Sequence, residues 1–319
     1  MCNKLVSVIV PSYNHERYIL ETLNSIISQI YDNIELIVVD DGSTDHSWDK
    51  IISLKDKCEK RFKRVYFEKK SNEGTCKTLN RLISLAQGEY IYLIASDDLA
   101  KPQAISHLSL FLEKNPEYVL AVGDNELIDA NSRLIGWDLD LNSVPLEFAT
   151  YKTFGQMLQS SRKNVPFDSD LFGSYSSFVE GNYIPNGYLI RKSSIDQIGE
   201  FSKNAPLEDL YMHLQLSKIG KYKYFNDVLF SYRWHNNNTQ KKTDYMKKIT
   251  RDTLLFEQNL VNNFKDKKWH DIFESKIVKK RIKFKIGSIL SFYTLKNLFE
   301  KTSVLEILGK EYIVKRLKL

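Results

Sequence analysis

Hydrophobic runs and helical periodicities alternate along the first 125 residues of the chain. Runs rich in β-branched and aromatic residues predict five buried strands, from Ser7–Val10 at the start to Tyr118–Val122 at the end. The stretches between them carry apolar residues at helical spacing, as between Tyr18 and Ile27. Strands that alternate with helices through short loops predict an α/β fold with a doubly wound, mostly parallel sheet.

The pattern changes after the fifth predicted strand. Residues 123–204 are rich in Ser, Asn, Asp and Tyr and contain few periodic runs, which is typical of loops that determine specificity. Regular structure is predicted again for a helix at Leu207–Ile219 and for strands at Lys223–Phe225 and Val228–Tyr232. Beyond Asp244 the pattern is almost entirely helical.

These changes predict one α/β domain followed by a helical extension. The domain covers residues 1–240 and divides near residue 125 into a regular half and a looser half. The extension, residues 241–319, holds 20 Lys and Arg against nine Asp and Glu, although the net charge of the whole chain is only +6. We expect this basic segment to contact an anionic membrane surface, or else to present a solvated helical face. No nucleic-acid-binding motif accompanies the charge, so nucleic acid is not an expected partner.

The composition of the chain is ordinary for a globular protein, with 42% hydrophobic and 27% charged residues. No run of about 18 or more apolar residues predicts a membrane-spanning helix. The three cysteines, Cys2, Cys58 and Cys76, are scattered and odd in number, which excludes a disulfide framework and the spacing of a zinc site. We therefore expect a reducing, cytoplasmic location, either free or peripheral on the inner face of the cytoplasmic membrane.

Polar clusters stand at four ends of the predicted strand segments. Because parallel strands end at one edge of a sheet, we expect these clusters to meet: Pro11–Asn14, Asp40–Asp41, Asn72–Gly74 and Asp97–Asp98. Acidic pairs are costly unless something offsets their charge, so a divalent cation such as Mg²⁺ or Mn²⁺, or a set of hydroxyl donors, would stabilise them. Asp45 can instead cap the next helix. The glycine-rich motifs of dinucleotide oxidoreductases and P-loop hydrolases are absent.

The order and spacing of these motifs resemble glycosyltransferase family 2. The resemblance is continuous over residues 5–125 and resumes in three later segments. Its motifs are Val8-Ile-Val-Pro-Ser-Tyr-Asn14, Val38-Val-Asp-Asp-Gly-Ser-Thr-Asp45, Asn72-x-Gly74, Gly88-Glu-Tyr90, Ser96-Asp-Asp98, Gly187-Tyr-Leu-Ile-Arg-Lys192, Glu208-Asp209 and Tyr232-Arg-x-His235. The resemblance implies a GT-A-type fold and an inverting transfer of a sugar from a nucleotide-sugar donor. It assigns the nucleotide to residues 1–125 and the acceptor to residues 126–240.

The same resemblance implies roles for residues at the donor site. Pro11 and Tyr13 would line the nucleobase pocket, and Asp41 would accept a hydrogen bond from the nucleobase. Asp97 would contact the ribose, and Asp98 would hold Mn²⁺ or Mg²⁺ on the diphosphate. Two departures from the family pattern stand nearby. Ala95 replaces the first Asp of many relatives, and Thr78-Leu-Asn80 replaces the usual Ala-Arg-Asn. Lys77 could supply the missing positive charge near the phosphates, or it could be a solvated helix lysine.

The reaction also needs a general base, and the resemblance places it on the predicted helix that begins near residue 207. Asp209 would deprotonate the acceptor hydroxyl, and Glu208 would assist by holding the acceptor or Asp209. A carboxylate at a helix start is also an ordinary partner of the helix dipole. His235 could be a further ligand of the metal or the diphosphate, or a structural histidine.

The resemblance further implies the biological acceptor, a growing bacterial surface glycan such as a lipid-linked O-antigen, a lipooligosaccharide or a capsule. Two other functions fit the residues less well. A sugar-phosphate nucleotidyltransferase would need a glycine-rich, basic first loop, which Pro11–Arg17 is not. A non-catalytic nucleotide-sugar-binding or membrane scaffold protein would have no need of the carboxylates at Asp41, Asp98 and Asp209.

Overall fold

The computed structural model of the chain describes residues 3–263 and 267–276. Its strands are β1 (Val6–Ser12), β2 (Ile34–Asp40), β3 (Arg64–Lys69), β4 (Tyr90–Leu93), β5 (Leu99–Ala100), β6 (Tyr118–Ile128), β7 (Leu134–Trp137), β8 (Ser143–Pro145), β9 (Leu189–Arg191) and β10 (Lys221–Arg233). Its α-helices are α1 (Ile19–Ile27), α2 (Ser47–Ser53), α3 (Lys55–Arg61), α4 (Thr75–Leu85), α5 (Ala104–Lys114), α6 (Phe154–Ser161), α7 (Tyr175–Phe178), α8 (Lys192–Ile198), α9 (Glu208–Leu216) and α10 (Thr243–Asn263). Short 3₁₀ helices cover Leu146–Phe148 and Thr239–Lys241.

The described strands form one mixed sheet in the order β3-β2-β1-β4-β9-β6-β10-β5, with β7 and β8 added beside β6. Strands β3, β2, β1 and β4 are parallel, and so are β6 and β10. Strand β9 lies antiparallel between β4 and β6 and joins the two parallel sets. The predicted α/β class and mostly parallel sheet are confirmed.

Strands β1 and β2 form because most of their residues are apolar on both faces. All seven residues of β2 are buried, and in β1 only Pro11 is partly exposed. Alternate residues of a strand point to opposite faces, so a strand without an exposed residue must be covered on both faces. Helix α4 packs on β1 and β2 through Leu79 and Leu82, and each fully buried leucine contributes about 1.5–3 kcal/mol.

In the second part of the sheet, strands β6 and β10 differ from their predicted bounds. Strand β6 continues to Ile128, six residues beyond the predicted end. Strand β10 is one element where two strands were predicted, with a register shift against β6 between Tyr224 and Val228. The residues between them include the exposed Asn226 and Asp227, which bulge away from the ladder and interrupt the apolar pattern.

Helix α10 lies in the segment predicted as a separate extension from residue 241. The described chain instead divides into residues 1–270 and residues 271–319, so α10 belongs to the same compact unit as the sheet. Its buried residues recur every four positions, at Ile249, Thr253, Glu257 and Val261, and form the face that packs on α9. This stripe explains the difference, because it needs a protein surface to cover it.

The structure describes only part of the predicted extension beyond α10. In the second unit the structure describes residues 271–276, which are helical. The rest of the basic segment that we expect at a membrane surface, residues 277–319, lies outside the described residues. Among the helices that the structure describes, none is long and apolar enough to cross a membrane.

Candidate active site

Asp41 ties two loops together at the carboxyl edge of the sheet. One of its oxygens accepts hydrogen bonds from the ammonium group of Lys70 and from the backbone N–H of Glu73. The other accepts a hydrogen bond from the N–H of Gly74 at 2.9 Å. Burial raises the pKa of Asp41, but these donors outweigh it and the pKa lies below its ordinary range. The carboxylate is therefore ionised and held in place, as a group that receives a nucleobase N–H must be.

The close approach of these two loops requires Gly42. Its φ is +76°, and a Cβ on it would lie 2.7 Å from the backbone nitrogen of Asn72. The loop after β2 is further fixed by the loop after β1, because Asn14 accepts the N–H of Thr44 at 2.9 Å. Asp45 accepts the N–H and the hydroxyl of Ser47 just before α2, which agrees with the local role considered for it.

Two further residues predicted at the nucleotide lie at or beside this edge. Pro11 is at the end of β1, and Tyr13 follows it with 46% of its side chain surface exposed, so its ring is open to a ligand. Lys77 lies on the exposed face of α4 and pairs with Glu73 at 2.9 Å. Its predicted contact with phosphate stays a prediction.

Asp97 is buried between two histidines. Its Oδ2 lies 3.0 Å from Nε2 of His235 and 3.7 Å from Nε2 of His15. The Nδ1 of His235 accepts the N–H of Asn237 at 3.2 Å, so the ring proton of the neutral form is on Nε2 and points at Asp97. Burial raises the pKa of Asp97, but the histidine hydrogen bond and charges outweigh it and lower the pKa overall.

Asp98 is almost fully buried and is held from β10 and from the loop before β9. Its Oδ1 accepts the backbone N–H of Arg233 at 2.8 Å, and its Oδ2 is 3.4 Å from the amide nitrogen of Asn186. Burial, followed by the charge of Asp97, raises the pKa of Asp98 well above its ordinary range. Among the described residues Asp98 forms no ion pair, and the charge of Arg233 compensates only part of its burial.

Arg233 fixes the segment that carries both of these carboxylates. Its side chain is fully buried, and its Nε donates to the backbone oxygen of Asp97 at 2.6 Å. Its other nitrogens donate to Ser132 and to Glu21 at 2.8 and 2.9 Å. A guanidinium group with its donors satisfied in this way sets the position of the Asp97–Asp98 turn rather than meeting a ligand itself.

The predicted Glu208–Asp209 pair occupies the first turn of α9. Asp209 accepts the amide of Asn182 at 2.8 Å and the N–H of Leu210 at 2.5 Å, and neither carboxylate serves as the helix N-cap, which is Leu207. Loss of water, followed by the charge of Asp209, raises the pKa of Glu208 to about 7. Loss of water also raises the pKa of Asp209. A pKa of about 7, as at Glu208, suits proton transfer near neutral pH.

A cavity of about 200 Å³ lies against this pair and against the carboxyl ends of the strands. Its polar lining includes Glu208, Asp209 and Asn186, and Pro11 and Ala95 contribute from the sheet. Asn186 also contacts Asp98, so one side chain joins the cavity to the buried carboxylate turn. The next residue, Gly187, has a φ of +76°, and a Cβ there would lie 2.2 Å from the ring of Phe230, so the turn that presents Asn186 needs glycine.

Tyr232 gives independent evidence that the two acidic pairs converge. Its hydroxyl is buried on β10, and burial together with the charges of Asp98, Asp97 and Asp209 raises its pKa well above the ordinary range. A group that senses all three carboxylates must lie close to each of them. The fold therefore brings together carboxylates that are more than 100 residues apart along the chain.

The donor set fits a hard divalent cation in part. Among the described residues, no group of three or more His, Cys, Asp and Glu side chains is arranged to hold a metal ion. Mg²⁺ and Mn²⁺ sites on nucleotides often use only one or two carboxylates, with phosphate oxygens and water as the other ligands. Asp98 meets that requirement. Both ring nitrogens of His235 are engaged within the protein, so its predicted ligand role stays a prediction.

Several residues at this site escaped the sequence prediction. Asn186 and Asn182 lie in the loosely patterned segment, where an asparagine carries no signal of its own. Lys70 follows β3 at the sheet edge, and its position at a strand end was the one available hint. Met212, one helical turn after Glu208, is indistinguishable in sequence from a core residue.

The sequence of this chain is similar to those of known proteins. The family model described as "Glycosyl transferase family 2" matches residues 7–177, more than half of the chain. An uncharacterized glycosyltransferase of Haemophilus influenzae is 29% identical over 311 residues, which are 92% of this chain and 89% of that protein. Glycosyltransferase GlyG of Streptococcus pneumoniae is 30% identical over 236 residues, 72% of this chain and 71% of its own.

Two solved structures share the fold. Mannosyltransferase PcManGT from Pyrobaculum calidifontis, in complex with GDP-Man and Mn²⁺, has a TM-score of 0.60 at 13% identity and covers 94% of this chain and 82% of its own. TarS of S. aureus, in complex with UDP-GlcNAc, has a TM-score of 0.57 at 18% identity and covers 86% of this chain and 71% of its own. At these identities the similarity concerns the fold, and it confirms the predicted GT-A type.

Proposed function

This chain belongs to glycosyltransferase family 2 and takes its sugar from a nucleotide-sugar donor, and we propose that it transfers that sugar with inversion to a hydroxyl group of a growing bacterial surface glycan. We further propose a UDP-linked donor. The acceptor class, such as a lipid-linked O-antigen, a lipooligosaccharide or a capsule, follows from the family resemblance.

The observation that carries the proposal is the shared cavity. Asp209 lines it with a raised pKa, and Asn186 on the same lining contacts Asp98. The proposed proton acceptor therefore lines the cavity, and the carboxylate that we assign to the diphosphate lies behind Asn186, 3.4 Å from its amide nitrogen. An acceptor hydroxyl and the anomeric carbon of a donor sugar need this relation for direct displacement.

The protein groups then have distinct tasks. Asp41, fixed by Lys70 and the loop backbone, receives the nucleobase N–H, while Pro11 and Tyr13 contact the ring. Asp98 is the carboxylate that would hold Mn²⁺ or Mg²⁺; when bound, such an ion neutralises charge on the diphosphate. Asp97 is kept ionised by His15 and His235 and faces the ribose in this proposal.

Asp209 carries the proton step. As the acceptor oxygen forms its bond to the anomeric carbon, the bond from that carbon to the diphosphate oxygen breaks, and the acceptor proton passes to a carboxylate oxygen of Asp209. Attack from the face opposite the diphosphate inverts the configuration. Asn182 donates to one oxygen of Asp209 at 2.8 Å and the N–H of Leu210 donates to the other, so the two donors together fix the carboxylate that takes the proton.

The test is nucleotide release from UDP-sugars, measured with and without Mn²⁺ for the wild type and for Asp209→Asn. We expect release that depends on the metal in the wild type and a loss of about 10²–10⁴-fold in the variant, which keeps the size of the side chain but cannot take the proton. Asp196→Asn is the matched control, since Asp196 is an exposed carboxylate paired with Lys192. Equal rates for the wild type and Asp209→Asn would remove the general-base assignment. Once an acceptor is found, the anomeric proton coupling in the product tests inversion.

A further inference from the structure

The cavity beside the Glu208–Asp209 pair has a chemically divided lining. One part is polar and contains the two carboxylates and Asn186. Most of the other lining side chains are apolar, and we call Leu79, Leu93, Ala95, Phe201 and Met212 the apolar wall; Pro11, Thr75, Gly187 and Tyr188 complete the lining. At about 200 Å³ the cavity is smaller than the roughly 300–1,000 Å³ of sites that enclose a drug-sized ligand, so it suits one sugar unit rather than a whole nucleotide sugar.

Met212 relates the apolar wall to the reacting groups. It is one helical turn after Glu208 on α9, so both side chains lie on the same face of that helix and both line the cavity. Met212 is almost fully buried, and its thioether can serve only as a weak hydrogen-bond acceptor. A ligand that reaches the carboxylates must also cover this wall.

A fully hydroxylated sugar suits such a wall poorly. A hydroxyl group pressed against leucine, methionine and phenylalanine loses its water and gains no strong partner, which weakens binding. A methyl group at the same place gains free energy, because apolar surface is removed from water on both partners. The other substituents of the sugar can still meet Asn186 and the carboxylates on the polar side.

We propose that the donor sugar carries a methyl group that packs on this wall. The sugar is then a 6-deoxyhexose, with its methyl at C6, or a 2-acetamido sugar, with its methyl on the acetyl group. This inference rests on the proposed function and narrows the class of its donor.

Matched donor pairs test the proposal, because each pair differs mainly in the methyl-bearing group. We would measure donor hydrolysis in Mn²⁺ for UDP-GlcNAc against UDP-glucose, for dTDP-6-deoxyglucose against dTDP-glucose, and for GDP-rhamnose against GDP-mannose. We expect the methyl-bearing donor of the preferred pair to have a kcat/KM at least about 10-fold higher than its partner. The preferred pair distinguishes an acetamido sugar from a 6-deoxyhexose.

Two substitutions of Met212 connect that preference to the wall. Met212→Gln keeps the length of the side chain but adds hydrogen-bonding groups, so we expect the preference to fall toward unity. Met212→Leu keeps an apolar surface and should retain the preference. Thermal unfolding and the affinity for the nucleoside diphosphate alone, measured for both variants, establish that fold and nucleotide site are intact.

The outcomes separate this inference from the proposed function. Equal hydrolysis within every pair, or a preference for the hydroxylated donors, overturns the inference and leaves the glycosyltransferase proposal standing. An unchanged preference in Met212→Gln removes the role of the wall. Failure of the wild type to hydrolyse any of the six donors counts against both proposals.

Discussion

The two sides of the active site are held together in different ways. On the nucleotide side, the loops that follow neighbouring strands of the sheet bind one another, as when Asp41 accepts the N–H groups of Glu73 and Gly74 and Asn14 accepts the N–H of Thr44. On the acceptor side, α9 is held by residues far along the chain. The N–H of Leu207 donates to the hydroxyl of Thr253 on α10, and Glu257 on α10 accepts the amide of Gln215.

The nucleotide side therefore forms together with the sheet, whereas the acceptor side is complete only when α10 packs on α9. Local hydrogen bonds at strand ends form whenever the sheet forms, so the nucleotide side depends mainly on the strands themselves. The acceptor side also depends on α10, whose Glu257 is fully buried. Besides the amide of Gln215, its carboxylate accepts a hydrogen bond from the hydroxyl of Tyr175 and forms an ion pair with Lys218. Variants should therefore affect nucleotide affinity on one side and turnover or folding on the other.

After the loss of the general base, the largest effect is expected where the two sides meet, at Asp98. Asp98→Asn removes the charge that would bind the cation, and we expect nucleotide release to fall about 10²–10³-fold, without recovery at higher Mn²⁺. The measurement is a Mn²⁺ titration of donor hydrolysis.

Asp45→Asn is the matched carboxylate control for this variant. Asparagine keeps the oxygen that accepts from Ser47 and loses the one that accepts the N–H of Glu16; because both contacts are within the protein, activity should stay within about 3-fold. Comparable losses in the two variants would show that Asp98 matters only for folding.

The next largest effect concerns pH. The Asp209 carboxylate must lose its proton to act, so kcat/KM should rise with pH above the ordinary range of an aspartate, because burial raises its pKa. Glu208, with a pKa raised to about 7, then gains a charge that repels the diphosphate, and kcat/KM should fall above about pH 7. Glu208→Gln should remove the upper limb and leave the lower one. An upper limb that persists in this variant would assign it to another group.

The same pKa shift predicts a trend in stability. The pKa of Glu208 is higher in the folded protein than its ordinary value of 4.5, so the folded state binds the proton more tightly than the unfolded chain. The contribution of this group to the free energy of unfolding should therefore fall as pH rises from about 4.5 to about 7. Comparing urea denaturation of the wild type and Glu208→Gln across that range isolates the contribution of this group.

A smaller effect is expected from the contact between α9 and α10. Thr253→Val leaves the buried N–H of Leu207 without an acceptor, which should lower the free energy of unfolding by about 1–3 kcal/mol. We expect kcat to fall more than the affinity for nucleotide, since α9 carries the carboxylates. Thr253→Ser restores the acceptor and should recover most of both losses. A nucleotide affinity that drops as far as kcat would contradict the separation of the two sides.

The smallest effect is expected at Lys77. Its side chain is 62% exposed and pairs with Glu73 across one helical turn, and such surface pairs contribute little. We expect Lys77→Ala to raise the donor KM by less than about 3-fold, as in the control Lys248→Ala, whose pair with Asp252 is also on a helix surface. A rise of about 10-fold or more at Lys77 alone would support the phosphate contact that the sequence predicts.

The two sides of the active site also differ in how well the sequence predicts them. The first strand was predicted at Ser7–Val10 and is Val6–Ser12, because a strand buried on both faces produces a nearly unbroken apolar run. The motif residues at the strand ends could be placed for the same reason. By contrast, Asn186 reaches Asp98 across 88 residues, and no local pattern encodes that contact.

The looser segment also shows where prediction fails. Helix α7 has only four residues, and Phe201 reaches the cavity from a loop whose backbone is bonded to Asn80. Elements of that length lack the repeated spacing on which prediction depends. Their positions come from packing against residues distant along the chain, which a pattern in one segment does not contain.

The hydroxyl of Thr253 also makes α10 a remote reporter on the cavity. A ligand that immobilises the first turn of α9 reduces the local openings that break the bond to Leu207, and so protects the amides of the helix on the other side of that bond. Hydrogen exchange in residues 249–261 should therefore slow when a donor sugar is bound and respond less to the nucleoside diphosphate alone. Hydrogen exchange in α10 would then distinguish a cavity that holds a sugar from one that does not.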